Sequence, residues 1–207
     1  MSFHPKMPYD TGIHKSERKL PPEGEPFVFT PERRAKFEEL ATHYPPDRRK
    51  SAILYAIFMV QEQQGYVSAN AMRHVAEVIG CTAAEVDDVV SYYAMFYRQP
   101  VGKYVVQVCR TLSCALKGAE RVTEEIGEAL GIHVGETDKS GTFTLIEVEC
   151  LGACDRAPVV MVNDGWHECL APGDAAALLA RIREGGEAVL SGCYHEVEKG
   201  QGPRAKG

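Results

Sequence analysis

Four cysteines fall in two close pairs, Cys109 with Cys114 (C-x4-C) and Cys150 with Cys154 (C-x3-C), with 35 residues between the pairs. Each pair can sit on one turn and supply half of a tetrahedral metal shell, provided the two turns meet in space. A fold for this chain must therefore bring residues 109–114 against residues 150–154. No other feature of the sequence constrains the architecture so tightly.

The remaining composition sets the compartment and the class. Of the 207 residues, 44% are apolar and 25% charged, the range of ordinary globular proteins, with room for one large domain or two small ones. The longest apolar run, residues 52–60, falls well short of the roughly 20 residues that span a bilayer. The opening Ser2-Phe3-His4-Pro5-Lys6 lacks the apolar stretch of a signal peptide, and Asp10, Glu17, Glu23 and Glu25 put acid where mitochondrial presequences avoid it. The expectation is a bacterial cytoplasmic protein. Seven cysteines in that compartment point to metal or redox chemistry rather than structural disulfides. Four are paired as above, and Cys81, Cys169 and Cys193 stand singly. The net charge of −6, with basic residues scattered, excludes a nucleic-acid footprint.

Along the chain, residues 1–29 are rich in proline and without periodicity, which predicts an extended arm with no core of its own, either disordered or laid over a partner. Thr30-Pro31 caps and opens a helix that runs to about His43. Ile53, Ile57 and Val60 mark a second helix from about Lys50 to Gln64, and Ser68 caps a third that ends at Ile79 before Gly80. Thr82-Ala83-Ala84-Glu85 is a capping box opening a fourth. Residues 30–98 thus read as an all-helical bundle. Beyond Pro100 the pattern changes. Tyr104–Val108 and residues 143–149 read as strands, and a helix is expected from Ala115 to Leu130. Val159–Val162, a turn at Asp164-Gly165 and a strand to about Leu170 follow, then a helix from Pro172 to Gly185-Gly186. The order β-α-β-β-α is that of a compact two-layer unit spanning 99–186, with a flexible tail over 187–207.

Both cysteine pairs begin directly after a predicted strand, at the end where open α/β sheets place their sites. Cys114 is expected at a helix start, where free N–H groups favour negative charge. Gly152 and Ala153 are small enough to let backbone amides approach sulfur, and Leu151, Ala157 and Pro158 would shield a centre from water. A thioredoxin dithiol would need C-x-x-C, and a Rieske centre would need a C-x-H pair. Neither occurs. Zinc and a [2Fe–2S] cluster both remain open on spacing alone.

The segments Cys109-Arg110-Thr111-Leu112-Ser113-Cys114 and Val148-Glu149-Cys150-Leu151-Gly152-Ala153-Cys154-Asp155-Arg156-Ala157-Pro158 resemble the thioredoxin-like [2Fe–2S] ferredoxin family, in the form it takes as the small iron–sulfur subunit of NADH-quinone oxidoreductase (respiratory complex I). Tyr44-Pro45-Pro46, Gln64-Gly65-Tyr66-Val67-Ser68, Ser91-Tyr92-Tyr93-Ala94-Met95-Phe96 and Pro100-Val101-Gly102-Lys103-Tyr104 resemble that family's helical domain and its junction. The likeness covers about residues 31–172. It implies an α+β chain, an N-terminal helical bundle followed by a thioredoxin-like α/β [2Fe–2S] domain. It implies that Cys109, Cys114, Cys150 and Cys154 hold one [2Fe–2S] cluster, with no catalytic residue on this chain. It further implies that FMN and NADH belong to a partner, the NADH-binding flavoprotein of the same complex, among other peripheral-arm proteins on the cytoplasmic face of the inner membrane. In keeping with this, no G-x-G-x-x-G follows a strand and no P-loop is present. Related helical domains occur in NAD-reducing hydrogenases and NAD-dependent formate dehydrogenases, so the equivalent diaphorase subunit is the alternative reading. A structural zinc protein is the remoter one.

The other conspicuous side chains read as packing. Tyr92, Tyr93, Phe96 and Tyr97 are expected as aromatic core at a domain junction. Cys81 is expected as a small apolar residue beside a helix cap, and Cys169 as a buried residue of a strand. His167 lies at i, i+2 from Cys169, yet no second pair joins them. Trp166 is expected in hairpin packing or a subunit contact, and the histidines are assigned no role.

Overall fold

Helix ends in the first half of the chain are set by local hydrogen bonds that the sequence spells out. In the computed structural model, which describes residues 20–186, the Thr30, Ser68 and Thr82 side chains each accept a backbone N–H at a helix N-terminus. They open α1 (Pro31–Ala41), α3 (Ala69–Ile79) and α4 (Ala83–Tyr92). Glu85 completes the capping box on Thr82. Helix α2 (Ile53–Gln64) has no such cap and grows out of a 3-10 segment, Pro46–Ala52. Gly65 and Gly80 end α2 and α3 in the left-handed conformation.

Residues 20–101 form one compact unit, closed by Phe37, Ile57, Val60, Val67, Val75, Val86 and Val90. Burying side chains of this size stabilises the unit by roughly 1.5–3 kcal/mol each. The expectation of an arm without a core does not hold for residues 20–29. Phe27 and Phe29 are buried in the same core, the carbonyls of Pro22 and Glu23 accept the N–H groups of Ala69 and Asn70, and Arg73 pairs with Glu23. Gly24 makes this docking possible. Its φ is +71°, and a Cβ there would lie 2.6 Å from that of Ser68. The missed signal is the extended-chain alternation Phe27/Phe29, which proline-rich flanks conceal. Residues 1–19, and the tail 187–207 with Cys193, lie outside the described residues. Of the aromatic group, Phe96 is buried and meets Phe58 edge-on at 4.9 Å, whereas Tyr92 is 73% exposed and only partly fits the expected packing role.

Residues 102–186 form the second unit. Its four strands are β1 (Tyr104–Cys109), β2 (Phe143–Val148), β3 (Val160–Val162) and β4 (Gly165–His167), in the order β2-β1-β3-β4. β1 is buried throughout, parallel to β2 and antiparallel to β3. One residue set from the sheet, Val106, Val108 and Leu145, packs with Val122 and Ile126 of α6 (Ala119–Leu130) and Leu178, Leu179 and Ile182 of α7 (Ala175–Gly185). The two-layer β-α-β-β-α order predicted from the sequence is thus observed.

Three local details differ from expectation. The helix expected from Ala115 is two helices, α5 (Leu112–Leu116) and α6, separated where Gly118 takes φ +92°. The hairpin turns at Asn163-Asp164, one residue earlier than expected. Asn163 has φ +51°, and its side chain accepts the Val105 N–H and donates to the Lys103 carbonyl. Pro172 does not start α7. Gly173 turns left-handed at φ +99°, and the helix begins after Asp174.

Candidate metal centre

The parallel pairing of β1 with β2 places both cysteine pairs at one end of the sheet. Cys109 is the last residue of β1 and lies opposite Val148, the last residue of β2. Cys150 follows two residues later. The Arg110 N–H donates to the Val148 carbonyl, and the Cys109 N–H to the Val159 carbonyl, so the loops leaving both strands are tied at their roots. The Arg110 guanidinium pairs with the Glu149 carboxylate, joining the residue after Cys109 to the residue before Cys150.

Cys114 sits inside α5, a five-residue helix, rather than at the head of the long helix. Cys109 and Cys114 are each 2% exposed, while Cys150 and Cys154 are exposed. The Cys150 and Cys154 sulfurs are 3.9 Å apart, and the Cys109 and Cys114 side chains lie within electrostatic reach of each other. The Cys154 thiol lies within electrostatic reach of both Cys109 and Cys114. The four sulfurs are therefore gathered two by two. Among the described residues, no three His, Cys, Asp or Glu side chains converge as the shell of a single metal ion requires.

Donors surround these sulfurs. Gly152, at φ +83°, directs its N–H to the Cys150 sulfur at 3.4 Å, as its small size led one to expect. Burial pushes the Cys109 thiol up, but donors from the Thr111 hydroxyl, the Leu151 and Thr111 N–H groups and the Cys114 thiol outweigh it and hold it below the ordinary thiol value. Cys114 is pushed up to about 11, by burial first and then by the proton it gives to Cys109, against the Val159 N–H. Cys154 is raised chiefly by its hydrogen bond with Cys150 and that neighbour's charge, while the Ser113 hydroxyl acts in the opposite sense. Cys109 is thus the member of its pair poised to ionise first, and thiolates, not thiols, bind metal. Leu151 and Ala157 pack against the core of the unit, and Ala153 and Pro158 are buried, which walls the site on the protein side.

Sulfur-only donors in two pairs, each pair met by N–H or O–H groups, match what an all-cysteine [2Fe–2S] site requires. The four thiols and Gly152 stand out in the sequence alone, whereas the part played by Thr111 and Ser113 emerges only in the structure. The signal was present, since two of the four residues inside C-R-T-L-S-C carry hydroxyls.

The single cysteines stay outside this arrangement. Cys81 is half-buried against the helical core, near its expected role. Cys169 is exposed, not buried in a strand. It lies beyond the end of β4 at φ +53°, its N–H held by the Arg156 carbonyl. His167 is buried in β4, and Trp166 packs on the core of its unit beside Gly152.

Comparison with known proteins adds relatives to this geometry. Residues 37–183 match the family model described as thioredoxin-like [2Fe–2S] ferredoxin. NADH-quinone oxidoreductase subunit 2 of Thermus thermophilus is 41% identical over 167 residues, covering 78% of this chain and 92% of that protein. The mitochondrial NADH dehydrogenase [ubiquinone] flavoprotein 2 of Dictyostelium discoideum is 37% identical over 182 residues, 87% of this chain and 73% of that protein. A crystal structure of an NAD+-reducing [NiFe]-hydrogenase superposes with a TM-score of 0.55 at 17% identity, covering 63% of this chain and 23% of that one, a likeness of fold.

Proposed function

Because this chain belongs to the thioredoxin-like [2Fe–2S] ferredoxin family, we propose that it is the electron-transfer subunit of an NADH:quinone oxidoreductase, and that Cys109, Cys114, Cys150 and Cys154 hold one [2Fe–2S] cluster. The observation that carries the reading is the convergence of two cysteine pairs at the ends of adjacent parallel strands. A zinc ion would draw all four sulfurs to about 2.3 Å from one point. Membership of the thioredoxin-like [2Fe–2S] ferredoxin family favours two irons over one zinc ion at these four sulfurs.

A cluster held there supplies one-electron acceptance. The residues of this chain do the rest. Cys109 and Cys114 anchor the inner side, away from water. Cys150 and Cys154 present the outer side, where an electron donor on another protein of the complex can approach. Gly152, Leu151 and Thr111 direct donors at sulfur, so added negative charge is met by preorganised dipoles. The donor is the flavin, FMN, of an NADH-binding flavoprotein partner, since NADH chemistry has no nucleotide motif on this chain. The proposed place is peripheral, on the cytoplasmic face of the membrane, and among the described residues no helix is long and apolar enough to cross one.

Iron, sulfide and zinc analysis of the purified or reconstituted chain tests this. Two irons and two sulfides per chain, with an electron paramagnetic resonance signal on dithionite reduction, are expected. One tightly bound zinc and no reducible centre would overturn it. The hydrogenase likeness is one of fold, so the equivalent subunit of such an enzyme is the second reading. Recovery of the native complex with a quinone-reactive membrane fraction, or instead with a soluble hydrogenase, separates the two.

A further inference from the structure

Thr111 occupies the N-cap of α5 but does not cap it. A threonine at this position ordinarily turns its oxygen to a free N–H of the first turn. In the described residues Thr30, Ser68 and Thr82 do so at the starts of α1, α3 and α4. The Thr111 hydroxyl instead faces the Cys109 sulfur at 3.3 Å. The Cys109 thiol has its own acceptor in the Glu149 carbonyl, 3.1 Å away. When that proton leaves on metal binding, the sulfur becomes a pure acceptor, and the hydroxyl is left as donor to it. Cys109 is 2% exposed, so water has little access to take the hydroxyl's place.

Resting on the proposed cluster, we infer that Thr111 tunes its reduction potential: the hydroxyl donates to the Cys109 sulfur and makes the centre easier to reduce. The step is addition of one electron from a one-electron reductant. No bond forms or breaks, and no proton is taken up. The added negative charge spreads onto the ligand sulfurs, so a hydrogen bond to one of them is stronger after reduction than before. Removing the donor therefore favours the oxidised form. Thr111 acts through Cys109, as a positioning residue. The cap it forgoes is the trace of that role in the fold.

The test uses the full chain with cluster reconstituted in wild type, Thr111→Val, Thr111→Ala and Thr111→Ser. Iron content is measured first, then the midpoint by dithionite titration with mediators. Thr111→Val and Thr111→Ala should retain two irons with a more negative midpoint, a change of up to about tenfold in the one-electron equilibrium, or ~59 mV. Thr111→Ser, which restores the hydroxyl, should restore the midpoint. An unchanged midpoint in both Thr111→Val and Thr111→Ala overturns the inference, as does a Thr111→Ser midpoint displaced as far as theirs. A wild-type chain that binds no reducible two-iron centre would sink the functional reading itself, and the inference with it.

Discussion

The backbone N–H of Phe29 donates to Nε2 of His74 at 3.2 Å, across 45 residues of sequence. The imidazole also meets the rings of Phe27 and Phe29 edge-on, at 5.6 and 5.0 Å. One neutral histidine thus fastens the entering segment to α3.

A pH dependence follows. Burial is the main cause that lowers the His74 pKa from its ordinary value. The Arg34 charge works the same way, and Glu77 opposes both. A depressed folded pKa means the stability is present above the unfolded value, near 6.5, and is lost as pH falls through the folded one. The unfolding temperature of the wild type should therefore drop between pH 7 and pH 5 more steeply than that of His74→Gln. Parallel profiles in calorimetry would show that the contact carries no linkage.

The proposed ligands can be separated from the helical unit. Cys114→Ser should lose or alter the reconstituted centre while the helices of residues 20–101 keep their circular dichroism signal. An unchanged iron-to-protein ratio and resonance spectrum would remove Cys114 from the ligand set.

Helix α4 tests the capping account. Thr82 accepts the Glu85 N–H at 3.3 Å, and Glu85 returns a carboxylate to the Thr82 N–H at 2.9 Å while pairing with Lys50. These partners hold the Glu85 carboxyl down at about 2, the Lys50 contact first. Thr82→Ala should cost about 1 kcal/mol, read as a lower midpoint in urea at unchanged slope.

Gly102 tests the entry to β1. A Cβ there would stand 2.8–2.9 Å from backbone atoms of Thr142 and Phe143, and its N–H donates to the Thr144 hydroxyl at 2.6 Å. Gly102→Ala should destabilise the second unit by about 1–3 kcal/mol, since backbone must move to admit it. A neutral result in denaturant unfolding would mean the two segments separate easily.

The elements most legible in the sequence are those whose limits are local. Ser68 and Gly80 bound α3, and Thr82 with Glu85 opens α4, through contacts a few residues long. The site was legible for a related reason: Cys109 ends β1 and Cys150 stands two residues past β2, both strands rich in β-branched residues, and register does the rest. What stayed hidden depends on distant partners or on one backbone angle. Phe27 and Phe29 are anchored by His74, far along the chain. The break at Gly118 leaves the apolar spacing of Leu116, Ala119 and Val122 intact, so periodicity gives no sign of it. Pro172 looks like a helix start until Gly173 turns the chain the other way. Thr111 looks like an ordinary cap because sequence does not reveal where a hydroxyl points.

Cys109 and Val148 stand side by side in register, so the gap between the cysteine loops is that of neighbouring strands, about 4.8 Å. The 35 residues from Cys114 to Cys150 act as a spacer whose length carries no information about the site. Lengthening the connection between α6 and β2 would cost only about 0.6 kcal/mol per doubling of the loop. The two thiol pairs can thus be inherited as a fixed unit while the chain that joins them grows, shrinks or acquires a new surface.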